Sequence, residues 1–282
     1  MKFSTNYSDI KSVTQTQPHE SRSGKYKYYS TENILTALYD KGWYVKSATE
    51  SNSRVADGFQ KHHVTLRHAD HINKTLSVDE LVPELGITNS HNGSSKLLFD
   101  LQVYRCFCDN QCVTNYASVS KNSIRHSGNM GETILDAVYS IVEDTPRMME
   151  NIQTFKKLTL SPGERYTFGE MALEETMPQI FKDDRYNIPE TVKRLLLPER
   201  IQDINNDLFS TYNVVQEHIL KGAYFLTENK AIRDSIYFHG DEKLGVRRAN
   251  ATKNRAIKAI DRTRNVNRKL WQLMDNFTEL VK

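Results

Sequence analysis

Residues 84–113 read Glu84-Leu85-Gly86-Ile87-Thr88-Asn89-Ser90-His91-Asn92-Gly93-Ser94-Ser95-Lys96-Leu97-Leu98-Phe99-Asp100-Leu101-Gln102-Val103-Tyr104-Arg105-Cys106-Phe107-Cys108-Asp109-Asn110-Gln111-Cys112-Val113. Two apolar runs flank one polar turn. Leu85 and Ile87 lead in; Leu97, Phe99, Leu101, Val103 and Cys106 lead out. The intervening Asn, Ser, His and Gly tolerate tight or left-handed backbone and can bond their own main chain. The spacing predicts a long β-hairpin whose second strand is buried on one face.

Working outward from the hairpin, the first half reads as more sheet plus one helix. Residues 1–24 are polar and predict a flexible, ill-ordered start. Thr31 is placed as the cap of a helix carrying Ile34, Leu35, Leu38 and Tyr39, ended by Gly42. Residues 43–49 and 61–68 predict strands. In the second of these, His62, Val64, Leu66 and His68 share one face, and Lys61, His63, Thr65 and Arg67 the other.

From Asn129 the period changes to helical. Met130, Ile134, Ala137, Val138 and Ile141 predict a helix that Pro146 interrupts or restarts. Ser161-Pro162-Gly163-Glu164 is a capping box with proline at the first helical position, opening a helix over 164–181. Residues 182–203, with Pro189 and Pro198, predict an irregular connection. Helices follow over 207–220 and 251–280, with a mixed, polar loop over 223–252 between them. The expectation is an α+β protein. Its divisions are a flexible segment 1–24, an antiparallel sheet subdomain 25–128 carrying one helix, and a helical subdomain 129–282 packed on it.

Composition narrows the function classes. The 282 residues are 38% apolar and 26% charged with a net charge of +3, enough for an ordinary core. No leader-like start and no long apolar run occur, so no membrane partner is expected. The three cysteines, all within 106–112, suit a reducing cytoplasm better than a disulfide scaffold.

Three reactive constellations can be weighed. Cys106, Cys108 and Cys112, with His91 or His126, are zinc-type donors, but the spacing lacks two close pairs. Small buried core cysteines are the plainer reading. Ser90-His91 beside Asp100 has the residue types of a hydrolase, yet neighbouring Ser and His on a turn point apart. His62, His63, His68 and His71, with Asp57 and Asp70, raise a metal-dependent nuclease; a solvated or half-buried sheet face explains them more simply. No catalytic residue, metal or cofactor is therefore assigned.

Basic and aromatic residues give the best-supported signal. Lys253, Arg255, Lys258, Arg262 and Lys269 cluster near the C-terminus, and on one continuous helix Arg255, Lys258, Arg262 and Lys269 would share a face. Arg22, Lys25, Lys27 and Tyr28 mix cations with rings, and Lys61 and Arg67 add charge on a strand. Cations for phosphates and rings for bases suit nucleic acid, with single-stranded DNA favoured.

The chain also resembles the YafZ/YfjQ family of prophage proteins, part of a wider phage/plasmid-like family with a domain of unknown function. The matching pieces are His19-Glu20-Ser21-Arg22-Ser23 and the turn holding Asn89, Ser90, His91, Gly93 and Ser94. Tyr104-Arg105, Cys108, Asn110, Phe168-Gly169, Lys221-Gly222, Arg255-Ala256-Ile257, Asp261 and Leu270-Trp271 continue the match. The family pattern has Asp where Asn92 stands, and apolar residues in place of Cys106 and Cys112. The resemblance implies a phage, prophage or plasmid origin and assigns no catalytic residue. The resulting expectation is a non-catalytic nucleic-acid-binding protein in recombination or replication, acting in the host cytoplasm. The alternatives are an anti-defence protein that inhibits a host restriction or CRISPR-type complex, and a metal-dependent nuclease. Self-association is left open.

Overall fold

The computed structural model describes residues 2–4, 6–52, 58–72, 75, 80–105, 110–113, 123–126, 131–229 and 251–281. The fold is α+β, with an antiparallel sheet in the N-terminal half and mostly helices in the C-terminal half. The chain divides into two units: Met1–Met149 with Lys258–Arg264, and Glu150–Ile257 with Asn265–Lys282.

In the first unit, seven strands form one sheet: β1 (Lys2–Ser4), β2 (Trp43–Glu50), β3 (His62–His68), β4 (Leu81–Asn89), β5 (Leu97–Arg105), β6 (Asn110–Val113) and β7 (Ser123–Ile124). They are antiparallel in the order β1-β2-β3-β4-β5-β6, and β7 pairs with the start of β5. The predicted hairpin is β4–β5, with Leu85 opposite Leu101 and Ile87 opposite Phe99.

Residues opposite one another share a face, so the register divides the sheet into two chemistries. One face carries Val64, Leu66, Leu85, Ile87, Phe99 and Leu101, all buried. Helix α1 (Thr31–Tyr39) adds Ile34, Leu35 and Leu38 to that core. The other face carries Thr65, Arg67, Glu84, Thr88, Asp100 and Gln102, and these polar side chains are buried too. The expectation of a β5 buried on one face is thereby corrected; on the histidine strand His62 is fully buried, while His63 and His68 are half-buried. Alternation was legible, but it separates apolar from polar rather than inside from outside.

The N-terminal residues depart from their compositional reading as well. β1 pairs with β2, Ile10 and Val13 are fully buried, and Ser12 Oγ donates to Glu50 at 2.8 Å. Ser30, not Thr31, caps α1, accepting from Asn33 N at 3.2 Å. Thr31 is buried and bonds His62 Nε2 at 2.8 Å. Gly42 has φ +81°, the left-handed exit expected of it. A four-residue turn, α2 (Ala69–Ile72), follows β3.

Helix α3 (Gly131–Lys157) is continuous, with Pro146 inside it, where an interruption or restart was expected. The missing N–H leaves the Val142 carbonyl without its helical donor. Val142 is exposed, where water can take that place.

In the second unit, α4 (Pro162–Thr176) opens with the predicted capping box, Ser161 N donating to the Glu164 carboxylate at 2.7 Å. Residues 182–203 are not irregular throughout. Asn187 caps α5 (Ile188–Leu195), and Pro189 lies in its first turn, where proline initiates a helix. α6 (Leu208–Glu217) continues into a π-helical turn over His218–Gly222. β8 (Tyr224–Thr227) and β9 (Ala251–Lys253) form a small two-stranded sheet where a polar loop was expected; residues 230–250 of that loop lie outside the described residues. The last helix, α7, spans Ile260–Leu280, nine residues shorter at its start than the 251–280 expected. Trp271 centres this unit's core, edge-on to Phe155 at 6.1 Å and to Tyr212 at 5.8 Å.

Candidate functional site

The hairpin turn spends most of its polar groups on itself. Ser90 Oγ accepts from Ser95 N at 2.8 Å and donates to Ser95 O at 3.2 Å. Asn92 Oδ1 accepts from Ser94 N at 3.0 Å, and Gly93 supplies φ +72°. Asn89, Ser90 and His91 are fully buried. The Ser90–His91–Asp100 constellation does not assemble. Ser90 is committed to Ser95, while Asp100 lies on the opposite sheet face, held by Arg264 Nε and Nη2 at 2.6 Å each.

The turn is clamped from outside by the segment His19–Ser23. His19 N donates to His91 O at 2.9 Å, and the Arg22 guanidinium lies over Gly93. Tyr26 Oη donates to Ser90 O at 2.9 Å. Burial pushes the Tyr26 hydroxyl pKa up to about 12, with Arg22 opposing. Two pieces that carry the family resemblance thus form one structure.

Three histidines nearby are held neutral. Burial lowers His62 to about 3, and the neighbouring His91 adds to the effect. His91 falls to about 4, again chiefly by burial. The His62 and His91 rings are 5.3 Å apart. Both His91 ring nitrogens are sealed from solvent; the Ser12 backbone lies close, but without hydrogen-bonding geometry to either. On the polar face His63 is also lowered by burial to about 4. Its Nδ1 meets Thr88 Oγ1 at 2.8 Å and its Nε2 meets the Gln102 amide at 3.2 Å.

Gly86 lies beneath that last contact, and a Cβ there would collide with Gln102 and press on His63. Gly86→Ala is expected to destabilise the first unit by about 1–3 kcal/mol, the usual cost of an overpacked site. Thermal unfolding measures it; an unchanged Tm would show that Gln102 moves aside freely.

The sequence-predicted cations part ways. Arg67 is buried, its Nη2 2.6 Å from Glu84 and its guanidinium 4.6 Å from the Tyr104 ring centre. Lys61 pairs with Asp261, and Lys269 donates to Glu175 O at 2.8 Å. Arg255 and Lys258 precede α7, so the four-residue stripe on one helix face is not formed. Arg255, Lys258 and Arg262 are exposed, as is Lys253 on β9. Tyr28 is not free to stack on a base: its hydroxyl donates to Gln15 O and its ring lies 5.0 Å from His91.

Around the hairpin turn, by contrast, cations gather. Arg22, Lys25, Lys27, Lys96 and Arg125 are all exposed and form no ion pair among the described residues. Arg22 sits over Gly93. Lys27 N donates to His126 O at 2.8 Å, and Tyr26 stacks on the His126 ring at 4.7 Å, drawing 25–27 against 124–126. Ile124 pairs with Leu97, which brings Arg125 beside Lys96. Sequence reasoning missed Lys96 and Arg125, because nothing local shows that the distant β7 closes beside the hairpin.

Among the described residues, no three His, Cys, Asp or Glu side chains are placed to hold a metal ion. Cys106 and Cys108 lie outside the described residues, and Cys112 pairs with Val103 in the sheet. No described helix is long and apolar enough to cross a membrane.

In the second unit two further pieces of the resemblance meet. Gly222, at φ +79°, ends the π-helical turn with the backbone of 254–256 packed onto it. Ile257 N donates to Leu220 O at 2.8 Å. Any side chain at 222 would strike that backbone.

The chain is 27% identical over 267 residues to UPF0380 protein YfjQ of Escherichia coli (strain K12), covering 94% of this chain and 87% of that protein. It matches UPF0380 protein YafZ of the same organism at the same identity and coverage. No solved structure matches. The family described as "Domain of unknown function (DUF932)" matches over residues 18–271, and the chain belongs to that family.

Proposed function

We propose that this protein binds nucleic acid through the basic collar around its hairpin turn, without chemistry of its own, in recombination or replication of a phage or other mobile element. The observation that carries the reading is the convergence of Arg22, Lys25, Lys27, Lys96 and Arg125 on one end of the sheet, exposed and forming no ion pair among the described residues. Such a cluster neutralises phosphates and releases counterions. The mobile-element setting rests on the family resemblance. The contact is to the phosphate backbone, because Tyr26 and Tyr28 already pack against His126 and His91.

Fluorescence anisotropy with single- and double-stranded DNA and RNA at rising salt tests this. Binding is expected at low salt. Replacing all five collar residues with Ala should lower affinity by at least about tenfold and flatten the salt slope. The expected reduction is about 4–5 on duplex and about 3–4 on single strands, if each residue meets one phosphate. Arg255→Ala with Lys258→Ala and Arg262→Ala measures whether the exposed C-terminal cations contribute. Absence of binding to every nucleic acid at low salt would overturn the reading and favour a protein partner in a host defence complex.

A further inference from the structure

Exposed large apolar side chains are concentrated in two places among the described residues. One is the segment 197–204 of the second unit, where Leu197 is 60%, Ile201 82% and Ile204 58% exposed. This knob is held in shape from beneath. Arg200 donates through both terminal nitrogens to the buried Glu217 carboxylate, and its guanidinium lies 3.5 Å from buried Asp203. Three aliphatic side chains displayed to water on a braced loop form an apolar surface of the kind that marks interaction sites.

The other place is a groove of about 440 Å3 in the first unit, between α1 and α3. Its lining is almost wholly apolar, including Leu38, Trp43 and Val138, and Tyr139 and Val142 stand exposed at its lip. Lys41 lies at the groove, exposed. The knob carries the opposite charge: the Glu199 carboxylate lies 3.5 Å from His218 Nε2, and its side chain is 61% exposed. Apolar surface and charge on the two features are complementary.

We propose that the knob Leu197–Ile204 of one molecule seats in the α1–α3 groove of a second copy, with Glu199 meeting Lys41. The contact joins two different surfaces, so it is heterologous: it closes into a ring or continues as a filament. Sedimentation velocity on the full chain at micromolar concentration is the test, with Ile201→Asp and Val142→Asp as probes. Both positions are exposed, so neither charge disturbs the core. The wild-type chain should form oligomers, and each variant alone should sediment as monomer. An equimolar mixture should recover a dimer and nothing larger, because the intact groove of I201D accepts the intact knob of V142D. A monomeric wild type, an oligomeric I201D, or a mixture that stays monomeric would each overturn the proposal.

Discussion

Lowering the pH from 7 towards 4 is expected to unfold the first unit well before carboxylate protonation alone would. His62, His63 and His91 have native values of about 3, 4 and 4. Each would titrate at about 6.5 in the unfolded chain. A lowered histidine favours the fold fully above the unfolded value. Below it, the unfolded chain takes up a proton that the native state refuses. Each of the three therefore removes about 1.4 kcal/mol of stability per pH unit between about pH 6 and its native value. Together they remove several kcal/mol by about pH 5, comparable with the whole stability of an ordinary domain. The two tryptophans separate the units, since Trp43 belongs to the first and Trp271 to the second. Fluorescence of Trp43, with Trp271→Phe, should report an acid transition steeper than its counterpart from Trp271, with Trp43→Phe. His91→Phe should remove about a third of that slope. A Trp43 signal flat from pH 7 to 4.5 would contradict the buried neutral histidines.

Glu84→Ala is expected to be the most damaging single substitution on the sheet. Glu84 is fully buried and accepts from Arg67 Nε at 3.0 Å and Nη2 at 2.6 Å. Removing the carboxylate leaves a guanidinium, 5% exposed, with no counter-charge from that strand. Breaking a buried pair from one side costs about 3–5 kcal/mol, because the remaining charge is desolvated without compensation. Replacing both partners, Arg67→Met with Glu84→Leu, removes charge and desolvation together and should restore most of the loss. Chemical denaturation of the single and double variants measures the difference. Equal destabilisation in the two would mean that the pair acts through shape rather than charge. Reciprocal behaviour is expected of Asp100 and Arg264, the second two-pronged pair on the same face.

Much of this fold was open to local reading. The β4–β5 hairpin, the Ser161 capping box and the glycine exit at Gly42 each rest on interactions within a few residues. Short-range turn chemistry and periodicity carry such information. The misreadings have one cause. Thr31 was assigned to a cap when it bonds His62, thirty-one positions away. The opening residues were read as ill ordered, but their order comes from β2 and Glu50. Arg255 and Lys258 were drawn into α7, but Ile257 N is committed to Leu220 O, and 251–253 to β8.

Sequence alone determined which strand positions alternate and where α4 and α6 begin, because those follow from side-chain spacing and from the caps Ser161 and Asp207 a few bonds away. Only the tertiary structure decided which cations are free. Arg67 and Lys61 look no different in sequence from Lys96 and Arg125, yet Glu84 and Asp261 neutralise the first two, and the last two face water. A charge is available to a partner only when the fold brings no carboxylate to it. That depends on residues up to 200 positions apart, a relation no local pattern carries.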